Sequence, residues 1–159
     1  MKEFVYKEIK YGLYLVSLPL GCLSDISFRA LHMLSNSDYI AGEDTRSVRS
    51  LFKLLKISKP VKSIISYHDH SSAHTRGKII ELIKQGKSVA LVSDAGTPLI
   101  SDPGYKLVKN TIEEGFKVFS VPGPSSVIAA LTVSGLPTDA FSFLGFLPNT
   151  KSKKKKLLE

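Results

Sequence analysis

The chain has 159 residues, of which 43% are hydrophobic and 23% charged, so it suits one α/β domain and disorder is not expected. No apolar run approaches the ~18 residues of a spanning helix, and the N-terminus lacks the features of a signal peptide. The net charge is +8, and the single cysteine, Cys22, excludes an internal disulfide and a cysteine-cluster zinc site, so we expect a cytoplasmic protein.

Short apolar runs alternate with amphipathic helical patterns along the chain. The predicted strands cover residues 13–16, 39–41, 63–67, 88–93 and 117–121, and a final edge strand is predicted at 141–144. The run at 88–93 is apolar at consecutive positions, which is typical of a parallel strand covered on both faces. The pattern predicts an α/β fold with a five-stranded, mostly parallel sheet flanked by helices.

Helix ends are predicted from capping residues and glycines. The predicted starts are Ser24 or Asp25, Thr45, Ser71 or Ser72, Asp102 with Pro103 at the first helical position, and Ser125. Gly86 and Gly115 are predicted to end the third and fourth helices.

Ligands of open parallel sheets bind beyond the carboxyl ends of the strands, so the loops that follow each strand carry the functional information. The sequence contains neither G-x-G-x-x-G after the first strand nor G-x-x-x-x-G-K-[ST] anywhere, which disfavours NAD and ATP. Small residues and prolines instead crowd the loops after strands one, four and five.

The loop after strand four, residues 93–104, contains two glycines and two prolines and is flanked by Asp94 and Asp102. Its length and acids favour a ligand loop over a long turn with a helix cap. The loop after strand five, Pro122-Gly123-Pro124-Ser125-Ser126, presents hydroxyls and free N–H groups at a helix start. It fits a carboxylate or another polar ligand edge, and plain helix capping is the alternative.

Two further loops carry titratable groups. Glu43-Asp44-Thr45-Arg46 follows strand two, where the acids can act as base, as acceptors for a ribose diol or as partners of Arg46 or Arg49. Tyr67-His68-Asp69-His70 follows strand three, and His74 lies nearby. A metal site is disfavoured because no clear third ligand exists, and contact with nucleic acid or general-base chemistry fits these histidines better.

The C-terminal nine residues contain five lysines and one acid, which is +4 of the net charge. This segment is predicted to be a solvated linker or tail, either solubilising or binding phosphates. Leu157-Leu158-Glu159 resembles the first turn of a helix. We therefore expect a main domain at 1–145 and a basic linker at 146–159.

These motifs occur together and in order, and as a set they resemble the bacterial small-subunit ribosomal RNA 2′-O-ribose methyltransferases of the tetrapyrrole-methylase superfamily. The resemblance runs from about Gly12 to Glu159. It rests on Glu43-Asp44-Thr45-Arg46, Ser66-Tyr67-His68-Asp69-His70, Ser93-Asp94-Ala95-Gly96-Thr97-Pro98, Ser101-Asp102-Pro103-Gly104-Tyr105, Pro122-Gly123-Pro124-Ser125-Ser126, Gly135-Leu136-Pro137-Thr138-Asp139 and Gly145-Phe146-Leu147-Pro148. Where that family usually has Thr and Asn in the loop after strand one, this chain has Leu18 and Cys22.

The resemblance implies S-adenosylmethionine as cofactor, held in a cleft between two α/β domains, and a homodimer acting on a cytidine ribose of small-subunit ribosomal RNA or the 30S subunit. The implied cofactor-binding residues are Pro19, Asp94, Ala95, Gly96, Thr97, Pro98, Ile100, Ser125 and Ser126. The expected catalytic residues are Glu43, Asp44, His68 and His70. The expected RNA-binding residues are Arg46, Arg49, Lys151, Lys153 and Lys154.

Two alternatives stay open at this point. One is a small-molecule methylase of the same superfamily that acts on tetrapyrroles, which the positive charge and the detailed loop match disfavour. The other is a non-catalytic RNA-binding remnant, which would show a steep salt dependence of RNA binding without methyl transfer.

Overall fold

A computed structural model describes residues 8–68 and 73–158. It divides into two compact units, Met1–Ser126 and Val127–Glu159. The first unit contains a sheet of five strands, in the order β3-β2-β4-β1-β5, and every pairing is parallel. The predicted α/β fold with a parallel sheet flanked by helices is therefore confirmed.

The strands and helices alternate along the first unit, as the apolar pattern indicates. The strands are β1 (Gly12–Val16), β2 (Tyr39–Gly42), β3 (Ile64–Ser66), β4 (Ser88–Val92) and β5 (Val118–Val121). The helices are α1 (Phe28–Asn36), α2 (Thr45–Leu54), α3 (Ala73–Lys84) and α4 (Tyr105–Glu113). Helix α5 (Ser126–Thr132) begins at the last residue of the first unit and continues into the second, which also contains α6 (Lys151–Leu158).

The core has two layers, one on each face of the sheet. Helices α1 and α2 pack on the face that carries Tyr14, Ile40 and Ala90. Helices α3 and α4 pack on the opposite face, against Val89 and Leu91. The chain moves along the sheet in one direction through α1 and α2 and in the other through α3 and α4, so constant crossover handedness requires this division between faces. All residues of β4 are buried, as predicted for a central strand.

Two predicted helix caps near the start of the chain are wrong. Ser24 and Asp25 lie in a short 3₁₀ turn, and Ser27 caps α1 by accepting a hydrogen bond from Ala30 N at 3.0 Å. Thr45 is the first residue of α2 rather than its cap, because the Asp44 carboxylate accepts from Arg46 N. The proposed caps Ser71 and Ser72 lie outside the described residues.

The predicted helix start at Asp102 and Pro103 is also wrong, since α4 begins at Tyr105 after Gly104. Gly104 has φ 137°, and a Cβ there would lie 2.8 Å from Leu91 Cδ2 and 2.8 Å from Leu99 Cδ1. The chain passes so close to β4 at this point that only glycine fits. Asp102 and Pro103 belong to the loop that brings Gly104 close to β4.

One prediction in the second unit is wrong. Residues 141–144 do not form a strand, because no described strand pairs with them and both Phe141 and Leu144 are more than half exposed. The lysine-rich segment is helical from Lys151 to Leu158, in line with the good helix propensity of lysine. In the described residues no helix is both long and apolar enough to cross a bilayer.

Candidate functional site

The loops after β1 and β4 are joined by main-chain hydrogen bonds at the carboxyl edge of the sheet. Leu18 N donates to Gly96 O at 2.8 Å, and Gly96 N donates to Leu18 O at 3.0 Å. Gly96 has φ 71°, and a Cβ there would lie 3.0 Å from Leu20 Cδ2. A residue without a side chain at Gly96 therefore allows the two loops to form this antiparallel bridge.

The loop after β5 is connected to the same pair. The Ser17 and Thr97 hydroxyls lie 3.0 Å apart, and Thr97 Oγ1 donates to Pro124 O at 2.9 Å. A Cβ on Gly123 would lie 2.9 Å from Ser17 Cβ, so this loop approaches the end of β1 closely. The three loops thus form one hydrogen-bonded wall, which we call the three-loop wall (residues 17–23, 93–104 and 122–126).

The loop after β4 also carries an unusual backbone. Leu99 has φ 73° and Ser101 has φ 58°, a region that residues with side chains seldom adopt. Conformations of this kind cost about 1–3 kcal/mol each and cluster at ligand-binding and catalytic sites. The same loop is therefore the part of the wall most suited to a ligand.

A cavity of about 190 Å³ opens beside the three-loop wall. Its lining includes Pro19 from the loop after β1, Asp94 from the loop after β4, and Ser47, Leu51 and Leu54 from α2. Among the described residues that line it, none is lysine or arginine, and Asp94 is exposed. The cavity therefore combines an apolar surface with a carboxylate, which suits a cation that has an apolar body.

The other predicted cofactor residues lie on the three-loop wall with different exposure. Gly96 and Pro98 are buried, whereas Thr97 and Ser125 are half-buried. Exposed positions, which a ligand can reach directly, are Ala95, Ile100 and Ser126.

The predicted catalytic acids follow β2, next to β4 in the sheet. Asp44 caps α2 and forms a bidentate ion pair with Arg46, with Arg46 Nη2 2.8 Å from Asp44 Oδ2. The Arg46 guanidinium lowers the pKa of Asp44 to about 2, because it hydrogen-bonds the charged carboxylate. Asp44 therefore serves the capping and ion-pair role that the sequence left open as an alternative to catalysis.

The ends of β2 and β3 bring Glu43 close to the histidine segment in the fold. Tyr67 N donates to Gly42 O at 2.8 Å, and Ser66 Oγ donates to Glu43 O at 3.4 Å. Glu43 and His68 are both exposed at this edge. His70 lies outside the described residues.

The predicted RNA-binding residues fall into two groups, one in each unit. Arg46 and Arg49 are exposed on α2. Lys151, Lys153 and Lys154 are exposed on α6.

Sequence reasoning missed several wall and cavity residues. Ser17 links two loops through its hydroxyl, and Ser47, Leu51 and Leu54 line the cavity from α2. Ser17 was identifiable, because it is a small polar residue immediately after a buried strand. The α2 positions were not, because their part in the cavity depends on how α2 packs beside the loop after β1.

Comparison with known proteins gives consistent results. The family model described as Tetrapyrrole (Corrin/Porphyrin) Methylases matches residues 12–159. A protein of Halalkalibacterium halodurans named ribosomal RNA small subunit methyltransferase I is 42% identical over 99% of this chain and 54% of its own length. A protein of the same name from Rickettsia prowazekii is 51% identical over 94% of this chain and 52% of its own length. The chain thus spans about half the length of these relatives.

Solved structures show the same fold at lower identity. A diphthine synthase superimposes with a TM-score of 0.61 at 20% identity, over 79% of this chain and 49% of the other. A cobalt precorrin-4 methyltransferase superimposes with a TM-score of 0.56 at 22% identity, over 77% of this chain and 49% of the other.

Proposed function

Because this chain belongs to the tetrapyrrole methylase family, we propose that it binds S-adenosylmethionine and serves 2′-O-methylation of a cytidine ribose in small-subunit ribosomal RNA. The family membership supports the cofactor. The relatives named as small-subunit ribosomal RNA methyltransferases, at 42% and 51% identity, support the RNA substrate. Tetrapyrrole-type methylation has weaker support, since the solved tetrapyrrole enzyme is 22% identical and carries only the fold.

The proposal also covers the domain arrangement, the binding partners and the cellular location. In this proposal, residues 1–145 form the methylase domain and 146–159 begin the connection to a second domain. The relative from Halalkalibacterium halodurans is long enough to contain such a domain, since the match covers 54% of its length. The proposed partners are ribosomal RNA or the 30S subunit and a second copy of the chain. The proposed location is the cytoplasm, in keeping with a ribosomal RNA substrate.

The observation that carries the proposal is the three-loop wall beside a cavity with an exposed carboxylate. The site fits S-adenosylmethionine in chemistry, because Asp94 supplies negative charge and the described cavity lining contains no lysine or arginine to repel a sulfonium. The exposed residues Ala95 and Ile100 lie on the same wall, where main-chain groups and an apolar side chain are within reach of a ligand. Ser125 and Ser126 would hold its polar ends.

S-adenosylmethionine, when bound, supplies a methyl group on a positively charged sulfur for in-line transfer. In the proposed mechanism, Asp94 and the wall fix the orientation of the donor, and such positioning can supply several kcal/mol. In the same mechanism, Arg46 and Arg49 contact the RNA substrate. Glu43 and His68 are the proposed acceptors of the ribose hydroxyl proton, with His70 a further candidate, whereas Asp44 is a weak base because its pKa is about 2.

Comparing two ligands tests the role of Asp94. S-adenosylmethionine carries a positive sulfur, and its product S-adenosylhomocysteine does not. We expect Asp94→Asn to weaken binding of S-adenosylmethionine at least tenfold, as measured by calorimetry on the full chain. Binding of S-adenosylhomocysteine should weaken much less. Glu81→Gln, an exposed acid on α3, is the control and should bind both as the unmodified chain does. Equal affinity of Asp94→Asn and the unmodified chain for S-adenosylmethionine would remove Asp94 from the site.

The proton acceptor is tested by methyl transfer to purified small ribosomal subunits. Glu43→Gln or His68→Ala should lower the rate by about 10²–10⁴, the usual contribution of general-base catalysis, while affinity for S-adenosylmethionine stays the same. If neither change lowers the rate, the proton acceptor lies elsewhere.

A further inference from the structure

Positive charge is concentrated in and just after α2. Residues 45–68 contain no acid and supply +6 of the net charge of +8. Four of these cations define a surface that we call the basic face, and they are Arg46, Arg49, Lys53 and Lys56. Arg46, Arg49 and Lys53 lie on α2, and at about 100° per residue they fall within about 60° of one another around the helix axis. Lys56 follows the helix, which ends at Leu54.

The basic face is separate from the surfaces of α2 that the fold and the cavity use. Val48 and Phe52 are buried in the core, and Ser47 and Leu51 line the cavity on the other side of the helix. The four cations are all exposed. Their charge is therefore neither required for packing nor directed at the proposed cofactor site.

Most of this charge is not compensated by the acids that the structure describes. Arg46 pairs with Asp44, but in residues 8–68 and 73–158 no ion pair is seen for Arg49, Lys53 or Lys56. By contrast, the described ion pairs elsewhere join lysines to acids, as in Lys84–Glu114 at 3.0 Å. The basic face thus presents exposed cations to solvent.

The end of α2 gives a second, independent indication. Helices α3 and α4 each end in a Schellman hydrogen-bond pattern, with a glycine in the left-handed conformation at Gly86 (φ 78°) and Gly115 (φ 79°). Helix α2 ends in the same pattern, with Ile57 N donating to Phe52 O at 2.8 Å, but its left-handed residue is Lys56 (φ 56°). A lysine is less stable than glycine there, so folding alone does not explain its presence.

The other lysine-rich element lacks such a face. The lysines of α6 occupy Lys151 and positions 153–156, and at about 100° per residue they point to every side of the helix. Charge spread in this way presents no single row of cations. The basic face does, with Arg46 and Arg49 about 4.5 Å apart along the helix axis and Arg49 and Lys53 about 6 Å apart.

We propose that the basic face of α2 binds the phosphate backbone of the RNA substrate, an inference that rests on the proposed function. A row of cations matches a linear polyanion, because each neutralised phosphate releases condensed counterions. On α2, no apolar or aromatic side chain lies within the arc of Arg46, Arg49 and Lys53, and such side chains anchor most protein partners. The chemistry therefore favours RNA over an acidic protein.

A matched pair of triple variants tests this inference. The first carries Arg49→Gln, Lys53→Gln and Lys56→Gln, and the second carries Lys151→Gln, Lys153→Gln and Lys154→Gln, which removes the same charge from α6. Affinity for a single-stranded fragment of small-subunit ribosomal RNA is measured over a series of salt concentrations. The slope of log K against log salt should become shallower by about 2 in the α2 variant, at about 0.7 for each lost phosphate contact, and should change less in the α6 variant. An α2 variant with the original affinity and slope would overturn the proposal.

Lys56→Gly separates RNA binding from stability. Glycine relieves the left-handed backbone, so the variant should melt about 2–4 °C higher than the unmodified chain. It should also bind RNA about fivefold more weakly at 0.1 M salt, through the loss of one phosphate contact. A higher melting temperature with unchanged RNA affinity would show that Lys56 does not contact RNA. If the melting temperature is higher as expected, misfolding cannot account for lost binding.

The same proteins distinguish failure of this inference from failure of the proposed function. Retained RNA affinity in the α2 variant, with S-adenosylmethionine bound normally, would overturn only the assignment of the basic face. RNA binding through α2 in a chain that neither binds S-adenosylmethionine nor transfers methyl groups would overturn only the proposed function. Polyglutamate that binds as tightly as RNA would overturn RNA as the occupant of the face.

Discussion

Asp44 shows how one residue can look catalytic in sequence and be engaged structurally. An acid beside a strand end fits several roles, and its hydrogen bonds select among them. The Arg46 guanidinium and the α2 N–H groups all stabilise the charged carboxylate, which holds the pKa of Asp44 at about 2. Because Arg46 follows Asp44 by only two residues, the sequence suggested this capping and ion-pair arrangement as one alternative. The sequence alone did not show that it forms.

Asp38 is the residue whose protonation is expected to affect folding. Its carboxylate accepts hydrogen bonds from Ser88 N at 2.9 Å and Ser88 Oγ at 2.7 Å, and Lys87 Nζ lies 3.5 Å away. Partial burial acts to raise the pKa of Asp38, but the Ser88 hydrogen bonds and the Lys87 charge outweigh it and hold the pKa below its ordinary value of 3.8. Asp38 thereby connects the start of β2 to the start of β4.

A depressed pKa gives a definite direction of pH dependence. The contribution of Asp38 is fully present above the unfolded-state pKa of about 3.9 and is lost as pH falls through the lower folded-state value. The urea midpoint of the unmodified chain should therefore exceed that of Asp38→Asn by a constant amount above about pH 5, and the difference should shrink below about pH 4. A difference that is the same at pH 2.5 and pH 6 would contradict this linkage.

At the scale of elements, helix positions followed from the sequence better than helix starts. The apolar spacing in residues 26–34 and 48–55 identifies α1 and α2, but several polar residues near each start are chemically able to cap. The choice depends on where the incoming loop places the first helical turn. Ser27 rather than Ser24 caps α1, because a 3₁₀ turn at Leu23–Asp25 comes first.

The two serines before α1 provide a matched test of the cap. Ser27→Ala removes the acceptor for Ala30 N and should lower the free energy of unfolding by about 1 kcal/mol, as measured by urea denaturation. Ser24→Ala, at an exposed position in the 3₁₀ turn, should change it by less than about 0.5 kcal/mol. Equal losses for the two variants would mean that the cap is not Ser27.

At the scale of the whole molecule, sequence periodicity predicted the sheet but not the order of the strands. Runs of apolar residues reveal which segments are strands, whereas neighbours in a parallel sheet are chosen by long-range packing. The loops of the three-loop wall could be singled out because glycine and proline mark them locally. The Leu18–Gly96 bridge and the cavity face of α2 were not, since both depend on segments far apart in the chain.

The strand order also has a consequence for how the protein is made. In the sheet that the structure describes, β4 lies between β1 and β2, and Ser88 at its start pairs with Gly12, which is far away in the sequence. During translation, the nascent chain therefore exposes the open edges of β1 and of the β2–β3 pair until residues 88–92 emerge. Such distant pairings form slowly, so this interval is when the polypeptide is most prone to aggregate and most in need of a chaperone.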